Sequence, residues 1–79
     1  MTISDIEFSI QVSNPLENVV DYLDGKGIIS VQCHLDNSIT LDTIDGEIKA
    51  FCSDFIFKLK NEDKCRVYTE KAFNDFIKE

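Results

Sequence analysis

A chain of 79 residues with 43% apolar residues has room for one core and is too apolar to stay disordered, so residues 1–79 read as a single domain. Its 15 Asp and Glu outweigh 8 Lys and Arg, a net charge of −7, which argues against direct nucleic-acid binding through phosphate contacts. No apolar run approaches the roughly 18 residues that span a bilayer, and Met1 to Phe8 carries acids where a secretory signal carries Lys or Arg, so a cytoplasmic protein with no membrane partner is expected.

The first strand is legible at once: Ile6, Phe8, Ile10 and Val12 alternate with Glu7, Ser9 and Gln11, which predicts one buried and one wet face. Asn14-Pro15-Leu16-Glu17 follows as a helix start, with Asn14 capping, Pro15 at the first helical position and Glu17 reaching back. Leu16, Val19, Val20 and Leu23 recur at helical spacing and predict a helix over about 15–24, closed by Gly25 or Gly27.

Ile28 to Leu35 reads as a second strand, with Ile29, Val31, Cys33 and Leu35 on one face. A three-residue loop at Asp36-Asn37-Ser38 would pair Leu35 with Ile39 and Cys33 with Leu41. A two-residue turn at Asp45-Gly46 would set Thr43 opposite Ile48, Leu41 opposite Ala50, and Asp42 opposite Lys49 as an ion pair. Phe55, Phe57 and Leu59 continue the alternation, Asn61 to Lys64 turns the chain, and Cys65 to Tyr68 forms the last strand. Thr69 caps a final helix over about 70–78, with Ala72, Phe73, Phe76 and Ile77 on one side. The order β-α-β-β-β-β-β-α predicts an α+β domain: a mainly antiparallel sheet, at least four strands of it from residue 28 onward, packed by two short helices.

Chemistry is sparse. Cys33, Cys52 and Cys65 are odd in number and lack C-x-x-C spacing, so they fit neither a disulfide framework nor a zinc site and read as packed thiols. His34 follows Cys33, and successive strand residues face opposite sides, which separates the thiol from the only imidazole. A calcium loop with Gly25 at its sixth position would need ligands at Val20, Tyr22 and Val31, and Gly25-Lys26-Gly27 is too short to cradle a phosphate. Paired carboxylates are common by composition alone, and a sheet this small rarely encloses the pocket that shifts a pKa. No catalytic residue, metal or cofactor is expected, and the protein reads as a non-enzyme.

What remains is a lopsided charge. Nine acids and only Lys26 fall in the first 47 residues, a balance of −8, whereas the last 32 carry seven cations and six acids. If Leu41, Ala50 and Phe57 face the core, then Ile44, Phe51 and Ile56 lie on the other face beside Asp42 and Glu47. Either the last helix covers that face, or it is an apolar patch ringed by carboxylates. The second option predicts a small inhibitor that blocks a basic nucleic-acid-handling protein by phosphate mimicry, of the anti-CRISPR, anti-restriction or immunity kind. Asp21, Asp24, Asp36, Asp42, Ile44, Asp45, Glu47 and Phe51 are its candidate contact residues. The alternative is a structural or assembly subunit that pairs with its own copy through the same face. A composition rich in Ile, Asn, Asp and Lys and free of Trp suits an AT-rich genome, such as a phage, a plasmid or a low-GC bacterium.

Overall fold

Strand β5 (Phe55–Leu59) is apolar at four of five positions, too many for a strand with one wet face, and both of its faces are buried. In the computed structural model, which describes residues 5–78, β5 lies at the centre of a three-stranded antiparallel sheet between β1 (Ile6–Gln11) and β6 (Cys65–Tyr68). A second antiparallel sheet holds β2 (Ser30–Cys33), β3 (Ile39–Thr43) and β4 (Gly46–Ala50) in that order. Helices α1 (Leu16–Leu23) and α2 (Glu70–Ile77) complete an α+β domain in the element order expected.

The strands after residue 28 thus divide between two sheets, where one sheet of at least four was expected. The corner at Phe51 to Asp54 separates them. Ser53 adopts φ 76°, and the Asp54 carboxylate accepts from the Phe51 amide at 3.0 Å. The Val12 amide donates to the Asp54 carbonyl and Ser53 donates to the Val12 carbonyl, each at 2.8 Å, fastening the corner to the end of β1. β5 therefore pairs with β1 rather than β4.

Two clusters of buried side chains result. Phe8, Val12 and Ile56 from the first sheet meet Ile39, Leu41 and Ala50 from the second, with Val19 and Leu23 of α1 in the same core. On the other side of β5, Phe57 and Leu59 pack against Phe73 of α2. There Phe73 stacks on Phe55 at 4.3 Å between ring centroids, and Phe57 approaches Phe73 and Tyr68 at 5.0 Å. Ile56 and Phe57 are both fully buried, Ile56 under the second sheet and α1 and Phe57 under α2, so Ile56 belongs to no surface patch.

A bulge in β1 bears on the same division. Ile6 lies opposite Leu59 but Phe8 lies opposite Lys58, which leaves Glu7 as an extra residue. The extra residue sends Ile6 to the α2 cluster while Phe8 and Val12 enter the first core, although simple alternation places all of them on one face. Lys58 bonds Glu7 at 2.9 Å across the bulge.

Both hairpins turn one residue earlier than their turn chemistry suggests. The first loop is Leu35-Asp36-Asn37: His34 donates to the Ser38 carbonyl at 2.9 Å, and Asn37 takes φ 66°. Cys33 consequently faces Ile39 and Val31 faces Leu41, so Leu35 stands on the loop, fully exposed, and β2 ends at Cys33. The second loop is Ile44-Asp45. A turn at Asp45-Gly46 with a twist suited to hairpins requires positive φ at both residues, whereas here Gly46 alone adopts it, at 119°. The Thr43 hydroxyl locks this loop, donating to the Gly46 carbonyl at 2.8 Å and accepting from the Asp45 amide at 3.2 Å. Asp42 therefore faces Glu47, and Lys49 faces Thr40; the expected Asp42–Lys49 pair does not form. In each hairpin the pairing moves by two residues, so the buried face is unchanged.

Helix α1 begins one residue late. Pro15 occupies the cap position in extended conformation and has no side-chain acceptor, so the cap expected from Asn14 is absent, and the Pro15 carbonyl accepts from Asn18 at 3.1 Å. At α2 the expected cap is present, Thr69 Oγ1 accepting from the Ala72 amide at 3.2 Å.

Phe57→Ala removes the side chain that ties β5 to α2 and should lower unfolding free energy by about 3–5 kcal/mol. Thr69→Ala should lower it by about 1 kcal/mol. Urea titration followed by circular dichroism measures both, and equal effects would contradict the central place given to Phe57.

Candidate functional site

Among the described residues one broad surface has no layer over it. The inner face of the β2-β3-β4 sheet supplies Ile39, Leu41 and Ala50 to the core, so by strand alternation Ser30, Gln32, Thr40, Asp42, Glu47 and Lys49 occupy the outer face. They stand in two rungs across the three strands, Ser30-Asp42-Glu47 and Gln32-Thr40-Lys49, and none is buried.

Asp42 directly opposite Glu47 is a like-charge pair, which destabilises a sheet locally. Among the described residues no ion pair joins either carboxylate, and the two side-chain ion pairs are Lys58–Glu7 at 2.9 Å and Arg66–Glu62 at 2.6 Å, both involving the first sheet. The two lysines of this half of the fold lie over aromatic rings, Lys49 Nζ at 5.0 Å from the Phe51 centroid and Lys26 Nζ at 4.7 Å from that of Tyr22. Residues 16–50, which form α1 and the second sheet, hold seven acids and two lysines, a balance of −5. The remaining described residues hold seven acids and six cations. The charge asymmetry along the chain has become an asymmetry between the two halves of the fold.

The eight candidate contact residues surround this face without forming one patch. Asp42 and Glu47 share a rung, and Ile44 and Asp45 form the hairpin tip beside them. Asp36 and Phe51 stand at the other end of the sheet, with β4 and its roughly 17 Å of strand between Ile44 and Phe51. Ile44 and Phe51 are 83% and 51% exposed, so they are separate apolar points rather than a continuous patch. Asp21 and Asp24 border a shallow groove between α1 and β2 of about 170 Å³, together with Ile29 and Ser30.

Asp36 is held charged. Its Oδ1 accepts from the Ser38 hydroxyl at 2.5 Å and the Ser38 amide at 3.0 Å, and these bonds keep its carboxyl below the usual carboxylate range, with a smaller contribution from Lys49. A depressed folded pKa stabilises the loop above the carboxyl's ordinary value, and that contribution is lost as pH falls through the folded one.

Two of the three cysteines contradict the packed-thiol reading: Cys33 and Cys52 are exposed and only Cys65 is half-buried. Cys33 ends a strand at the sheet edge and Cys52 lies in the corner between sheets, so each run leaves the core before it reaches its thiol. His34 bonds Thr40 Oγ1 at 2.8 Å. Among the described residues no three His, Cys, Asp or Glu side chains gather as a metal site. Sequence gave no warning of a cleft of about 450 Å³ where the β3–β4 turn meets the first sheet, lined by Lys26, Ile44, Ile48, Lys58, Lys64 and Cys65 among others. These residues come from four segments with no shared motif.

Comparison with family models, with curated proteins and with solved structures finds no match to this chain.

Thiol reagents should modify Cys33 and Cys52 readily and Cys65 more slowly, because burial pushes the Cys65 thiol pKa up; mass spectrometry of a timed labelling series would show the order. Glu47→Lys replaces the like-charge pair by an opposite one and should raise stability by about 0.2–1 kcal/mol, read by urea titration.

Proposed function

We propose that this chain is a small non-enzymatic binding protein that docks its acidic sheet face on the basic surface of a nucleic-acid-handling protein, with its carboxylates standing where phosphates would. The observation that carries the reading is the Asp42–Glu47 pair, two like charges held opposite each other on the outer sheet face with no cation bonded to either among the described residues. Such a pair weakens the isolated fold and gains stability when a cationic surface arrives. Asp45 at the adjoining tip adds a third charge, and Ile44 beside it supplies an exposed apolar contact. Anti-CRISPR, anti-restriction and immunity proteins are the inhibitor classes this chemistry suits. The homodimer reading through an apolar second face is left with less support, since the second sheet and α1 bury Ile56 and only the separated Ile44 and Phe51 stay exposed.

Capture from cells of the source organism, with the immobilised chain as bait and mass spectrometry as readout, should return a basic protein that elutes as salt rises. Replacing Asp42, Asp45 and Glu47 together by Lys should slow association with it on the order of tenfold at low salt and flatten the salt dependence. An acidic partner, or association unchanged by the triple replacement, would overturn the proposal.

A further inference from the structure

Four strands lie at sheet edges, and three of them carry a charge that discourages edge-to-edge pairing: Glu7 in β1, Glu47 and Lys49 in β4, and Arg66 in β6. β2 reads Ser-Val-Gln-Cys and carries none. Its outer backbone groups are also free. His34 donates to Ser38 across the hairpin, so in an antiparallel ladder Gln32 and Ser30 likewise turn their backbone groups toward β3, and Val31 and Cys33 turn theirs outward. No other described segment takes a backbone hydrogen bond from Val31 or Cys33.

We infer that a second copy of this chain pairs with the β2 edge, antiparallel and about a two-fold axis at Gln32, joining two three-stranded sheets into one of six strands. The edge is self-complementary in this register. Val31 lies opposite Cys33 of the second copy and Cys33 opposite its Val31, and each of the four residues both donates and accepts a backbone bond. The axis also brings together the apolar residues that flank β2. Ile29, 63% exposed and bonded through its own amide to the Asp42 carbonyl at 2.7 Å, lies just beyond the shared ladder, as does Leu35 on its loop, fully exposed in the single chain, so their side chains flank the seam from the two copies. On the outer face Gln32 meets its own copy, and two amides can bond each other reciprocally. Strands this short bury less than the roughly 1,200 Å² of stable complexes, so the dimer is weak and depends on concentration. The inference stands apart from the acidic-face reading, since β2 lies on the opposite edge of the sheet from Glu47.

Sedimentation equilibrium over a wide concentration range should show a monomer–dimer exchange. Leu35→Lys, at a position that contributes nothing to the core, should weaken self-association on the order of tenfold with an unchanged circular dichroism spectrum. The register is tested separately. With Cys33 and Cys52 replaced by Ser, Gln32→Cys places a thiol opposite its own copy at a Cα separation of roughly 4.5 Å, which a disulfide can span, and mild oxidation should give a covalent dimer. Lys60→Cys, exposed on the other sheet, is the control. A monomer at every concentration, self-association indifferent to Leu35→Lys, or cross-linking of Gln32→Cys no greater than the control would overturn the inference. These assays involve only the chain itself, so their failure leaves the acidic-face reading untouched, and the reverse.

Discussion

Burial of β5 on both faces is the constraint from which the rest of the architecture follows. Ile56 and Phe57 are neighbours in sequence, so a strand must send them to opposite sides, and both are completely buried. Each side then needs a cover. The second sheet with α1 covers Ile56, and α2 covers Phe57 through the stacked rings of Phe55, Phe73 and Tyr68. Among the described residues no further element remains, so no layer of this fold lies on the outer face of the second sheet.

That ending gives the charge distribution its consequence. Acids on a solvated sheet face need no desolvation, and carboxylates on paired strands keep a fixed separation that flexible tails lack. The two lysines of the same half lie over the rings of Tyr22 and Phe51, and among the described residues neither forms an ion pair with Asp42 or Glu47. A surface of this kind contributes to association rate and partner choice more than to the stability of the fold.

The edges tell a related story of local chemistry. The bulge at Glu7 and its bond to Lys58 break the regularity of β1, and charged side chains mark β4 and β6. β2 carries no charged side chain and is flanked by two exposed aliphatic ones, Ile29 and Leu35.

Local chemistry alone determined the element order, the last strand at Cys65–Tyr68, the Thr69 cap and the apolar sides of both helices, because periodicity and capping act within a few residues. The acid-rich half was also legible, since charge is a property of composition. The division into two sheets was decided by tertiary structure: the corner at Ser53 and Asp54 bonds to Val12, some forty residues distant, and no local pattern encodes that pairing. The hairpin registers were decided the same way, by which single residue could take positive φ, Asn37 in one turn and Gly46 in the other, while the hydrophobic pattern tolerated either register equally. For that reason the sequence located Asp42 on a surface, and only the fold set it opposite Glu47 instead of Lys49.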